Sequence, residues 1–311
     1  MFEFRAWRYM PRDWRRDMKT TGMIAAPCIT LPCMPGRNDC RGTGMIGIQP
    51  FHTGVLAQRK ASTMTTAEWL RAKIGPAPYP STPDGKRARP CALQFFTQYL
   101  KPDMRVLHAY SRDGVSTMSI AEHVLAGEVV GIDPEMDNVR AARRRSVAPD
   151  GSEVSFERGS LGRLPFGPEE FDAVLLDGSI SSVDSPERAL EELQGILVPG
   201  GLLGARHTVA ASRVFAGKSQ LLERALNRKE TVMRDLGGDP DVGLRQPVLL
   251  RSGGFVNVRV TSSTEQQTDD EMLAVLSREG FVPADDDDGE QDGGQVISFI
   301  TVVDSVCWKP V

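Results

Sequence analysis

The chain predicts an α/β fold, a doubly wound and mostly parallel sheet of seven strands with helical cap segments. Three observations predict it. From residue 104 onward, short apolar runs alternate with stretches of helical length, and only a crossover helix can return the chain to a parallel neighbour. The polar residues cluster just after the apolar runs, where such sheets place their ligands. Two more strand patterns follow the first five, which favours seven strands over a six-stranded dinucleotide fold.

In chain order, "TAEWLRAKI" (66–74) and "PCALQFFTQYL" (90–100) read as short helices around a Pro/Gly-rich loop. "MRVLHAY" is the first strand, followed by the helix "STMSIAEHVL" with Ser116 as its expected cap. "GEVVGID" and "EMDNVRAARRRS" repeat the strand–helix unit, and "EVSFERG" and "FDAVLLDG" are the next two strands. "SPERALEELQGIL" is a helix opened by Ser185 and Pro186, and "PGGLLGARH" turns into strand five. Residues 210–236 show a long helical pattern, and "DVGLRQPVLLRSG" a second helix stopped by Gly253 and Gly254. "FVNVRVTSS", the helix "TDDEMLAVLSREG" and the strand "QVISFITVVDSVCWKP" complete the chain.

At 311 residues, with 40% apolar and 25% charged residues, the composition is that of a globular protein of one large domain with extensions, or of two small ones. A net charge of −4 provides no basic footprint for nucleic acid, and no apolar run is long enough to span a membrane. Cys28, Cys33, Cys40, Cys91 and Cys307 make an odd, scattered set. That is not a disulfide framework and fits a reducing, cytoplasmic compartment. Cys28, Cys33 and Cys40 match no zinc spacing, and no metal site is expected. Residues 1–62 differ from the rest and are expected to be a poorly ordered extension, with Met64 an alternative beginning. Arg5, Arg8, Arg12, Arg15 and Lys19 recur at helical spacing, as in a mitochondrial presequence. Glu3, Asp13, Asp17 and Pro11 oppose that reading. The run Asp285–Asp288 lacks the spaced ligands of a calcium loop and reads as a solvated acidic loop. Residues 63–311 are expected to form one domain, with a core at 104–208 and cap helices and the last two strands at 209–311.

The residues after each strand carry the chemistry. His108 to Gly114 follow the first strand. Asp133, 19 positions beyond Gly114, follows the second and is placed to accept bonds from a ribose diol. Gly159, Ser160 and Leu161 follow the third, Asp177 the fourth and His207 the fifth. His207 is the best-placed general base, with a structural role at a strand end as the commoner alternative. Asp177 reads as pocket-lining rather than metal-binding.

"VVGIDPEMDNVRAAR", "LPFGPEEFDAVLL" and "SPERALEELQGILVPGGLLGAR" resemble the class I S-adenosylmethionine-dependent methyltransferases of the broad ubiquinone/menaquinone-biosynthesis type. The likeness covers about residues 90–261 well and the last 15 loosely. It implies a Rossmann-like methyltransferase fold, S-adenosylmethionine as cofactor, and a small-molecule acceptor whose identity and methylated atom stay open, as does the oligomeric state. It also implies cofactor contacts from His108, Tyr110, Arg112, Gly114, Asp133, Pro134, Ser160, Leu161 and Asp177; no catalytic side chain is assigned. In the family, strand one is followed by an acid and then Gly-x-Gly-x-Gly. Here His108 stands at the acid, Tyr110 and Arg112 at the first two glycines, and Gly114 at the third, so the glycine motif is degenerate. Ser160 stands at the family's acid near the adenine. Two readings follow. In one, Arg112 pairs with the cofactor's carboxylate and Tyr110 packs beside the sulfonium. In the other, Tyr110 fills the pocket and the protein is an inactive scaffold or a partner of an active homologue.

Overall fold

A computed structural model describes residues 90–146, 152–282 and 296–311. The readings made for residues 1–89 and for the acidic run 285–288 lie outside them. Seven strands form one sheet: β1 (Arg105–Ala109), β2 (Glu128–Asp133), β3 (Glu153–Arg158), β4 (Phe171–Asp177), β5 (Leu197–Ala216), β6 (Val256–Thr268) and β7 (Ile297–Trp308). Their order is β3-β2-β1-β4-β5-β7-β6. The first five run parallel, and β7 is antiparallel to both β5 and β6. The described helices are α1 (Gln94–Thr97), α2 (Val115–Ala121), α3 (Met136–Arg145), α4 (Pro186–Ile196), α5 (Gln220–Asp235), α6 (Val242–Ser252) and α7 (Asp269–Arg278).

The apolar runs explain the layering. A parallel strand covered on both faces must be apolar along its length, and β1, β2 and β4 are. Successive residues of β1 enter different clusters. Val106 joins Phe96, Ile120 and Val124 on one face, whereas Leu107 and Ala109 join Leu176, Leu190 and Leu193 on the other. A third cluster, of Leu222, Leu226, Met233, Met272 and Phe281, joins α5 to α7. The chain winds outward from β1 to β3, then returns to build β4 and β5 on the opposite side. The strand order thus reverses between β1 and β4, which opens a crevice beyond their carboxyl ends.

Two local expectations are corrected. Ser116 is not a helix cap. Gly114 occupies the cap position of α2 with φ 85°, and no side chain closes that end. The helical pattern over 210–236 divides: residues 210–216 continue β5, and the helix starts at Gln220 behind a Ser219 cap whose hydroxyl accepts from the Leu222 N–H. The reason is tertiary. Residues 297–299 of β7 pair with Val214 to Ala216, and backbone pairing with β7 overrides the helical propensity of the Ala-rich stretch. The extension is not smooth. Between Val209 and Val214 β5 carries three more residues than β7, forming a bulge. The Ser212 hydroxyl accepts from the Thr301 N–H at 2.8 Å, and Asp241 accepts from the Ala211 N–H at 2.6 Å.

Candidate functional site

The loop after β1 lies at the reversal point. Tyr110 has φ 61°, Arg112 φ 50° and Gly114 φ 85°. All three left-handed positions are those at which the resemblance led us to expect glycines, yet only Gly114 is a glycine. An L-residue pays about 1–2 kcal/mol for such a backbone, so the surrounding structure must impose it. Part of the constraint is visible. Ser111 N–H donates to the Ile132 carbonyl at 2.8 Å, Gly114 N–H to the Ser111 carbonyl at 2.9 Å, and Arg112 N–H to Asp133 Oδ2 at 3.0 Å. Gly114 has a second reason to be glycine: an added Cβ would meet Phe156 at 2.9 Å. The Tyr110 side chain is 5% exposed and belongs to the apolar cluster of Leu161, Ile180 and Val183.

His108 points to the opposite face. Its Nδ1 lies 2.8 Å from Thr117 Oγ1, and its Nε2 is buried without a hydrogen-bond partner among the described residues. Burial lowers its pKa to about 4, so the ring is neutral at physiological pH. One nitrogen of that ring is therefore an acceptor.

Asp133 closes β2 and is almost fully buried. Its Oδ1 accepts from the Glu135 N–H at 2.8 Å and from Asn138 Nδ2 at 3.0 Å, while Oδ2 takes the Arg112 N–H. Burial raises its pKa, and these bonds and the Arg112 charge oppose the rise. A carboxylate oxygen has two acceptor directions, so Oδ2 retains one. Asn138 was not anticipated; its only signal is its place five residues after Asp133, on the first turn of α3. Pro134 is buried, with its carbonyl bonded by Arg158 at 3.1 Å. Ser160 forms an isolated bridge with Arg163, and Leu161 is in the core.

At the end of β4, Asp177 Oδ1, Ser179 Oγ and Ser182 Oγ are buried without partners among the described residues, as is Ser111 Oγ in the loop. With His108 Nε2, five such atoms sit at the carboxyl ends of β1 and β4. Buried polar groups are normally matched, so this concentration marks a place where a polar ligand or water would be accommodated. Burial raises the Asp177 pKa to about 6, against the pull of the Arg206 and Arg112 guanidinium groups. Arg206 itself is saturated: it bonds both oxygens of Asp304 at 2.9 Å, pairs with Glu265 and donates to the Ala92 carbonyl.

His207 is placed differently from the base that the sequence suggested. Gln246 Nε2 donates to the Ala205 carbonyl at 3.0 Å and to Ser305 Oγ at 2.7 Å, which leaves its Oε1 as acceptor. His207 Nδ1–H therefore donates to that Oε1 at 2.6 Å, and Nε2 accepts from the Ile180 N–H at 3.1 Å. Both ring nitrogens are committed, and burial holds the pKa at about 4. His207 joins β5 to α6 and anchors the turn after β4.

Beside that turn lies a small, partly open cleft. Gly178, Ser181, His207, Arg213, Lys229 and Met233 are among its lining residues. Arg213 and Lys229 had no sequence signal, because a bulge in β5 brings them together. Among the described residues, no group of three or more His, Cys, Asp or Glu side chains is arranged to hold a metal ion, and no helix is long and apolar enough to cross a membrane.

Residues 111–205 match the family described as "Methyltransferase domain". A demethylmenaquinone methyltransferase of Renibacterium salmoninarum is 32% identical over 102 residues, 33% of this chain and 40% of that protein. A ubiquinone/menaquinone biosynthesis C-methyltransferase of Syntrophotalea carbinolica is 33% identical over 99 residues, 32% of this chain and 41% of that protein. The chain thus spans about two-fifths of the length of these curated relatives. Among solved structures, the YcgJ protein of Bacillus subtilis aligns over 71% of this chain and 98% of its own, with a TM-score of 0.53 at 16% identity. That likeness concerns the fold alone. The sheet order and the reversal-point crevice are those of a Rossmann-like methyltransferase fold, and residues 111–205 within it are similar to a methyltransferase domain.

Proposed function

We propose that the chain binds S-adenosylmethionine in the crevice beyond β1, β2 and β4 and methylates a small organic acceptor held in the adjoining cleft. The observation that carries this reading is the loop backbone. Tyr110 and Arg112 hold the left-handed conformation for which glycine is the favoured residue. The chain thus retains the shape of a cofactor loop at a conformational cost.

The residues present fit the cofactor. The five unmatched polar atoms at the strand ends offer acceptors and hydroxyl donors, and Asp133 keeps one acceptor direction for a ribose hydroxyl. His108, neutral, replaces the family's acid: its ring nitrogen can accept from an ammonium without adding charge. Losing the carboxylate there weakens that contact, since hydrogen bonds to charged groups are worth about 1.5–3 kcal/mol. Arg112, whose charge is felt by Asp133, Asp177 and Lys229, is the residue to meet the cofactor's carboxylate. Pro134, Ser160 and Leu161 would border the adenine side, and Tyr110 would have to shift to admit the methionine moiety.

When bound, the cofactor supplies a methyl group already activated on a sulfonium. The chain's contribution is to position the acceptor and exclude water. His207 takes no proton from the acceptor, because both its nitrogens are bonded. Asp177, with a pKa of about 6 and an unmatched oxygen, is the ionisable group left at the junction of crevice and cleft.

Calorimetric titration with S-adenosylmethionine tests the reading. Saturable heat and a thermal shift are expected; the absence of both at millimolar cofactor would overturn it and leave a non-catalytic partner protein.

A further inference from the structure

Two arginines on β5 show how differently a guanidinium can be held. Arg206 is surrounded by Asp304 and Glu265, the arrangement expected when a buried cation serves the fold. Arg213, seven residues on, lies in the bulge and has no carboxylate within ion-pair distance among the described residues. Its Nη1 is anchored by three neutral acceptors: Gln267 Oε1 at 2.9 Å, Ser298 Oγ at 3.2 Å and Met272 Sδ at 3.3 Å. Its Nε is buried without a partner, and its Nη2 makes no hydrogen bond among the described residues. The Nε–Nη2 edge is the fork that meets a carboxylate through two parallel bonds. Anchoring Nη1 orients the group and leaves that fork unmatched.

Arg213 lines the cleft. The Glu230 carboxylate is felt by Arg213, yet it lies beyond ion-pair distance of the guanidinium. Lys229 is paired with Glu279 at 2.8 Å, and Glu230, the acid among the lining residues, with Arg234 at 3.4 Å. The remaining wall includes Leu226, Met233, Pro240 and Ile300. A small, largely apolar cleft with an oriented guanidinium in its wall suits a small organic molecule with an acidic end. Bulges beside active sites commonly serve to re-aim a side chain, and this one carries Arg213.

We infer that the acceptor is a small organic acid whose carboxylate is held by the Nε–Nη2 edge of Arg213, with its other end toward Gly178 and Ser181. The word acceptor rests on the methyl-transfer reading; the anion site rests on Arg213 alone.

The test compares two probes of nearly equal shape, 4-hydroxybenzoate and 4-hydroxybenzamide, by calorimetry or ligand-observed NMR on the full chain at neutral pH without cofactor. The acid should bind roughly tenfold or more tighter, as expected for hydrogen bonds to a charged group. Arg213→Gln should bring the ratio to near one while leaving the amide's affinity unchanged, and Arg213→Lys should keep part of the preference. Equal affinities in the parent protein, a preference surviving Arg213→Gln, or no saturable binding of either probe at millimolar concentration would overturn the inference. The parent comparison needs no variant and so is immune to misfolding. Because cofactor is absent, a failure here is distinct from a failure to bind S-adenosylmethionine.

Discussion

The loop after β1 and the far part of β5 border the same edge of the sheet, and they depart from regular structure in opposite ways. In the loop the backbone is unusual and the side chains close the space: Tyr110 and Arg112 hold left-handed φ, and Tyr110 packs into the core. In β5 the pairing is interrupted, and the bulge opens space beneath α5 that Arg213 enters. A left-handed backbone can therefore be held by residues other than glycine, as in the loop, and a cleft can arise from a few extra residues in a strand. The two regions are joined by His207, which ties β5 to the turn after β4 through the Ile180 N–H.

Cutting that joint should have the largest effect. His207→Ala leaves the Ile180 N–H and Gln246 Oε1 buried without partners, and two such groups should cost about 2–5 kcal/mol of stability in a chemical denaturation curve. A loss under about 1 kcal/mol would show that water replaces the ring without penalty. Tyr110→Gly comes next and acts on the loop. Removing a buried aromatic costs about 3–5 kcal/mol, and relief of the left-handed backbone returns about 1–2. A net loss of about 1–4 kcal/mol is expected, together with tighter S-adenosylmethionine binding by calorimetry. Unchanged binding would mean that Tyr110 does not stand in the cofactor's way.

Asp177 sharpens the comparison through pH. Its folded pKa of about 6 exceeds its ordinary 3.8, so the proton is held more tightly in the folded state. Ionisation then removes stability as pH rises from about 4 through about 6, and the penalty is complete above that window. Asp177→Asn should be more stable than the parent at pH 8, by up to about 3 kcal/mol, and lose that advantage near pH 4 in paired denaturation curves. Arg112→Gly should show the smallest effect, a gain of about 0.5–1 kcal/mol from relieved backbone strain. A loss instead would assign Arg112 a structural role in holding Asp133 and Asp177.

Much of the sheet was legible because alternation of apolar runs and helical stretches reports burial directly. Asp133, Asp177 and the loop were legible because they follow strands. The exceptions have physical causes. Residues 210–216 read as helix because propensity is local, whereas their pairing with β7 is contributed by residues about 85 positions later. His207 read as a candidate base because its polarity was visible but Gln246 and Ile180, which occupy its two nitrogens, were not. Nothing in Tyr or Arg announces a positive φ.

By itself the sequence determined the fold class and the strand after which each polar residue falls, because these follow from hydrophobic periodicity and chain order. Only the tertiary structure decided that Tyr110 and Arg112 adopt a left-handed backbone, that His207 is bonded at both nitrogens, and that Arg213 lines a cleft with part of its guanidinium unmatched. Each depends on partners distant in sequence, whose contacts fix dihedral angles and hydrogen bonds that local propensity cannot encode.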